Sequence, residues 1–240
     1  MTINSQGKHF QTLGEEIRSA QDKKITIKNC MGQRYIASGL SGKDITIEGT
    51  PGNALGAYLD GSTITVHGNV QDATGDTMND GAIYVDGQAG DATGYAMRGG
   101  KIFIHGDVGY RAGIHMKEYQ DKIPALVVGG RAGSFLGEYQ AGGIIVILGL
   151  HCDAQVPVGY FCGTGMHGGK IFLRCKTLPA DLPAQVQASQ ATQHDLDEIR
   201  PLVHEFCRAF GEDENHIMKS SFFVLTPNTK NPYQRLYTPN

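Results

Sequence analysis

The stretch from Ile45 to Gly106 contains ITIEG (45–49), ITVHG (64–68), IYVDG (83–87) and IFIHG (102–106), each starting 19 residues after the last. Glycines keep the same beat. Gly49 is followed by Gly52 and Gly56, Gly87 by Gly90 and Gly94, and Gly106 by Gly109 and Gly113. The frame returns as LVVGG from Leu126, with Gly130, Gly133 and Gly137, then as IVILG from Ile145 and IFLRC from Ile171. A degenerate copy, ITIKN, precedes them from Ile25. Self-similarity with a period near 20 residues marks a repeat architecture.

Each five-residue motif alternates. Ile45 and Ile47, Ile64 and Val66, Ile83 and Val85, and Ile102 and Ile104 point one way, as a β-strand requires. A second apolar column follows at Pro51, Val70, Ala89, Val108 and Ala132, and a third at Leu59, Met78, Met97 and Met116. Three inward columns per repeat predict a single-stranded, right-handed parallel β-helix, a solenoid with rungs of about 19 residues and its core inside the coil. Each inward Ile or Val contributes roughly 1.5–3 kcal/mol on burial. The chain holds 33 Gly in 240 residues, twice the usual share of roughly 7%, because tight corners and close backbone approach both favour a residue without Cβ.

Composition narrows the class. A formal net charge of −3 without a basic block argues against nucleic acid. No apolar run reaches the roughly 18 residues of a membrane span, and the first residues lack a signal-peptide core. Five cysteines without a CxxC pair suit reduced thiols in a cytoplasm.

Three regions are expected: an N-terminal cap helix within 1–24, the repeats at 25–176, and a linker with a helical extension and tail at 177–240. The cap helix is read over 10–20, with Thr12 and Glu15 at capping-box spacing. Residues 177–194 read as a Pro/Ala/Gln linker. A helical segment follows over 195–210, with Asp195 and Glu198 at capping spacing, Pro201 placing the start of the helix proper near itself and Gly211 ending it, then a second helical turn at DENHIM and a strand at SFFVL.

Candidate chemistry is sparse. Glu48, His67, Asp86 and His105 form one outward column, and a His–Asp–His ladder is a conceivable metal site. The two histidines stand two strand spacings apart, about 9.6 Å, so a solvated polar ladder is the simpler reading and no metal site is assigned. His151, Cys152, Cys162 and His167 share one insert but match no zinc spacing, and the role of that insert stays open. The glycine runs do not form phosphate loops, since a strand rather than a helix follows each. No catalytic or cofactor-binding set stands out, and Asp72, Asp76 and Asp91 read as turn residues. Tyr84, Phe103 and Phe172, with Val127, Val146 and Leu148, form an apolar row on the outward face. Such a row marks a contact surface, covered either by the chain's own C-terminal helix or by a partner.

The rung GDATGYAMRGGKIFIHGDVGYRAG (90–113) and the run GRAGSFLGEYQAGG (130–143) resemble the GXGXG domain at the C-terminal end of the glutamate synthase large subunit. The likeness covers about 25–176. The insert IHMKEY (114–119) and the helical tail are similar to the stand-alone form found in archaeal-type glutamate synthases and N-methylglutamate synthase-like complexes. That resemblance implies a non-catalytic scaffold subunit. The chain agrees in two respects: Thr2 follows Met1, where the amidotransferase would need a cysteine, and no iron–sulfur cysteine cluster is present. The implied partners are a glutamine amidotransferase-like subunit and an FMN-binding synthase-like subunit. FMN and an iron–sulfur cluster would sit in the partner and no cofactor in this chain. Self-association is a further option. Two alternatives stand beside this reading. One is the β-helix component of a formylmethanofuran dehydrogenase or formyltransferase/hydrolase complex. The other is an independent metal-dependent β-helix enzyme using His67, Asp86 and His105.

Overall fold

The 19-residue register reappears strand by strand in the computed structural model, which describes residues 1–150, 152 and 156–228. β1 (Thr2–Asn4), β2 (Lys24–Met31), β3 (Asp44–Thr50), β4 (Asp60–His67) and β5 (Asp80–Val85) lie side by side, all parallel. β6 (Lys101–Ile104), β7 (Ala125–Val128), β8 (Ala141–Ile147) and β9 (Gly168–Arg174) continue them. Ile45 faces Ile64, Ile64 faces Ile83 and Ile83 faces Ile102. The line runs on through Leu126, Ile145 and Ile171, so both inserts are absorbed outside the strands.

The expected right-handed parallel β-helix is corrected here. The described residues form one mixed sheet of 11 strands, in the order β1-β2-β3-β4-β5-β6-β7-β8-β9-β11-β10. Only the first of the three inward columns lies on regular strands. The second touches through isolated bridges, Val70–Ala89, Ala89–Val108 and Val108–Ala132, and the third lies outside any strand. Left-handed residues on the return path, such as Ala73 (φ 57°) and Thr77 (φ 50°), break up extended runs there. The C-terminal segment then adds two antiparallel strands. β11 (Phe222–Pro227) pairs with β9, and β10 (Val186–Gln190) pairs with β11. β10 falls within the segment read as a linker.

Three helices complete the described residues: α1 (Phe10–Ser19), α2 (Gln193–Phe210) and α3 (Glu214–Met218). α1 has His9 rather than Thr12 at its N-cap, and it buries Leu13 and Ile17 in the inner core. α2 starts earlier than its sequence suggested. Thr192 and Asp195 form its capping box and Pro201 lies in its interior, while Gly211 ends it in the left-handed conformation at φ 77°. None of these helices is long and apolar enough to cross a membrane.

Two cores result. The inner one joins the strand isoleucines and valines to Leu59, Met78, Met97 and Met116, all fully buried. The second lies on the outer face of the sheet, where Phe103, Val127, Val146 and Phe172 meet Ile199, Leu202, Val203 and Phe206 of α2.

Candidate functional site

The outer face changes character along the sheet. Thr46 and Thr65 occupy the column on β3 and β4, and Tyr84, Phe103, Val127, Val146 and Phe172 occupy it from β5 onward. α2 covers the apolar part, which answers the question of what lies on that row: Phe103 and Phe172 are fully buried inside the chain's own fold and present no free surface. Tyr84 stands at the boundary. Its ring stacks on Phe103 at 5.2 Å and 6°, and its hydroxyl donates to Glu205 Oε1 at 2.7 Å. Lys101 Nζ reaches the other oxygen of Glu205 at 2.6 Å. Burial and then the Glu205 carboxylate push the Tyr84 phenol well above its ordinary range.

Where the row turns polar, an open groove of about 760 Å³ runs between β4 and β5 and the flank of α2. Histidine–carboxylate pairs sit in and beside it. His67 Nδ1 lies 2.6 Å from Asp86 Oδ2, and His204 Nδ1 lies 2.7 Å from Glu214 Oε2. His105 faces a different partner. Its Nε2 is 2.9 Å from Glu212 Oε1, and its ring stacks on Phe210 at 4.9 Å. The ladder expected from His67, Asp86 and His105 is therefore split, and Glu48 stands in an ion pair with Lys28. Among the described residues, no group of three or more His, Cys, Asp or Glu is placed to hold a metal. Carboxylates fix the tilt and tautomer of these rings. The pairs from His105 and Lys101 also fasten α2 and the α2–α3 turn to the sheet. Glu205, Glu212 and Glu214 were not singled out from sequence. The polar flank of the amphipathic α2 was the one signal for Glu205.

His151 lies outside the described residues. Among the described residues, its neighbours in the insert form no group of three or more metal-holding side chains. Cys162 belongs to the inner core, where burial pushes its thiol up to about 12. Cys152 is buried, and His167 Nδ1 sits 3.2 Å from the Gly165 carbonyl of its own turn.

The turn side carries a feature the repeat pattern did not reveal. Successive repeats place Tyr35, Ala54, Ala73, Ala92, Arg111, Phe135 and Phe161 at one left-handed position, with φ between 55° and 63°. A second such position holds Tyr58, Thr77, Ala96, His115 and Tyr139. Alanine satisfies the first position in three consecutive repeats, yet the last repeats use Arg and Phe. Phe135 stacks on Phe161 at 5.1 Å, His115 on Tyr139 at 5.3 Å, and the Arg111 guanidinium lies 5.5 Å from the Phe135 ring centre. Tyr160 is 70% exposed and Phe161 49%, so this ridge of rings meets solvent. A bulky side chain at positive φ is conformationally costly, and its exposed ring recovers little of that through burial.

Comparison with known proteins extends the likeness beyond 25–176 on both sides. The GXGXG motif family matches residues 16–228. The chain belongs to the GXGXG motif family. Among its relatives is an uncharacterized protein of Methanocaldococcus jannaschii, 45% identical over 253 aligned residues that cover 100% of this chain and 97% of the relative. In this GXGXG protein the recurrent glycines do two jobs. Gly113, at φ 67°, turns the chain beneath the inner core, where a Cβ would lie 2.4 Å from Ile145 Cδ1. Gly109 lets two repeats touch, since a Cβ there would lie 2.0 Å from Asp91 Oδ1. That oxygen accepts from the Tyr110 backbone N–H at 3.0 Å, and Asp72 does the same for Asp91 N–H. These aspartates lie in turns, as expected, and also connect one repeat to the next.

Proposed function

We propose that this GXGXG chain is a non-catalytic assembly subunit of a glutamate synthase-like complex in nitrogen metabolism. It would hold a glutamine amidotransferase-like chain and an FMN-binding synthase-like chain in the cytoplasm. The observation that carries this reading is the exposed aromatic ridge. Rings in strained left-handed positions, where alanine serves three other repeats, make physical sense as anchors in an interface, where aromatics are enriched. Membership of the GXGXG family agrees with it, as does the use of Glu205, which lines the groove, to fasten α2 to the sheet through Lys101. FMN and an iron–sulfur cluster are assigned to the partner. The five cysteines, Cys30, Cys152, Cys162, Cys175 and Cys207, follow no iron–sulfur cluster spacing. Those same thiols are not joined in disulfides, which suits a reducing compartment.

The experiment is co-expression with the amidotransferase-like and synthase-like chains of the same genome, followed by size-exclusion chromatography of tagged material. A stable heteromeric complex is expected. Tyr139→Ser together with Phe161→Ser should weaken it at least tenfold while leaving the fold intact. Failure of the wild-type chain to join either partner would sink the scaffold reading. Equal assembly by the doubly substituted chain would sink the ridge as its anchor.

A further inference from the structure

The two ends of the sheet are built differently. β1 closes one end with three residues, and charge stands beside it: the Met1 ammonium donates to the Lys24 carbonyl at 2.9 Å and lies 3.5 Å from Asp22. A very short strand and a nearby charge are ordinary protections of an open sheet edge. β10 closes the other end and has neither. Val186, Gln187, Ala188, Ser189 and Gln190 carry no charge and no proline, and among the described residues no strand lies beyond them.

The pairing with β11 fixes which backbone groups face that open side. The Asn228 N–H donates to the Gln185 carbonyl at 2.8 Å, and the Ala191 N–H to the Phe222 carbonyl at 2.9 Å. In an antiparallel ladder every second residue is bonded to the neighbouring strand, so Gln187 and Ser189 turn their N–H and C=O to β11. Pro227 agrees with that phase, since it stands opposite Val186, where β10 requires no N–H. Val186, Ala188 and Gln190 therefore point their backbone groups outward. The Val186 N–H is taken by the Pro183 carbonyl at 2.9 Å. The Val186 C=O and both backbone groups of Ala188 and Gln190 have no protein partner among the described residues.

We propose that the open edge of β10 pairs antiparallel with β10 of a second copy of this chain, about a two-fold axis through Ala188. The free groups complement themselves under that operation. The Ala188 N–H donates to the carbonyl of the partner's Ala188, and the Gln190 N–H to the carbonyl of the partner's Val186, each bond made twice. Alanine suits the centre, where the axis brings two Cα atoms to about 5.5 Å. Gln187, which is exposed, comes opposite the partner's Ser189, an amide facing a hydroxyl, so no like charges meet. Val186 and Ala188 pack against the inner core, so that face of the joined sheet continues from one copy to the other. The operation uses up both open edges and closes the assembly at two. It rests on the sheet edge alone and stands independently of the scaffold reading.

The test is sedimentation of the full-length chain over a concentration series, with hydrogen exchange read at single amides. A concentration-dependent dimer is expected, in which the Ala188 and Gln190 amides exchange slowly. Gln187→Lys with Ser189→Lys sets like charges opposite each other across the axis and should weaken the dimer at least tenfold. The amides of Ala188 and Gln190 should then exchange at least tenfold faster, whereas those of residues 187 and 189 stay slow on β11, which shows that the fold is kept. Mixing that chain with one carrying Gln187→Glu and Ser189→Glu should restore pairing as a heterodimer. The proposal is overturned if the wild type stays monomeric throughout, or if the lysine variant dimerises as tightly as the wild type. It is equally overturned if Ala188 and Gln190 are protected in a monomer, because another part of the same chain then occupies the edge.

Discussion

Phe103→Ala tests whether α2 belongs to the fold or merely rests on it. Phe103 has no exposed surface, stacks on Tyr84, and packs in one cluster with Val127, Phe172 and Phe206. Truncating a buried phenylalanine to alanine costs about 3–5 kcal/mol, from lost transfer energy and from the cavity left behind. The offset ring pair adds about 0.5–1.5 kcal/mol beyond its area, which falls within the same loss. Phe103→Asp should do worse, because it places an unpaired carboxylate beneath α2. The assay is guanidinium unfolding followed by far-UV circular dichroism, with hydrogen exchange of the α2 amides as a local readout. Tyr160→Ala is the control. That ring is 70% exposed, so the substitution should change stability by no more than about 0.5 kcal/mol. If Phe103→Ala costs less than about 1 kcal/mol with an unchanged denaturant slope, the row is not core and the placement of α2 is wrong.

Gly109→Ala should destabilise by about 1–3 kcal/mol through overpacking, since the new Cβ would displace the Asp91 carboxylate from the Tyr110 N–H. Gly14→Ala, in the interior of α1 with nothing near its added Cβ, should instead stabilise by roughly 0.5–1 kcal/mol, and paired thermal melts of the two variants will show whether the signs differ. The phenol of Tyr84 is held protonated in the folded state, so its contribution is intact below its ordinary pKa of 10.0 and is lost as pH rises beyond it. Wild-type stability should thus fall more steeply between about pH 10 and 11 than that of Tyr84→Phe, as read by denaturant midpoints across that range. Cys162, fully sheltered with its thiol near 12, should resist an aromatic disulfide reagent at pH 8 until the chain is unfolded, and rapid native-state labelling would contradict its burial.

Sequence reasoning reached the strand register because the 19-residue step repeats isoleucine and valine with period-two alternation, and parallel pairing in register follows directly from that. It reached the inner methionine column for the same reason. It went astray on the return path, where apolar spacing looked like further strands. Alanine, threonine and tyrosine at left-handed φ gave no compositional warning, since glycine is the residue usually read as marking that conformation. β10 was missed because Val186–Gln190 has a single large apolar residue and finds its partner only when β11 arrives. On the outer face the apolar row was legible, and its cover was not. Whether Phe103 and Phe172 meet a helix of the same chain or another protein depends on packing that periodicity does not encode.

The position of β11 also sets an order of events on the ribosome. The parallel strands can dock as they emerge, each new repeat laid against the one before it, so the nascent chain is ordered from its N-terminal end. β9 breaks that sequence. Its outer edge waits for β11, which is synthesised only after β10, α2 and α3 have left the tunnel. During that interval the stack presents an unpaired edge and the bare rings of Phe103 and Phe172, the two surfaces on which misassembly with a neighbouring nascent chain would start. The same strand that finishes the sheet thus determines how long the unfinished chain needs protection.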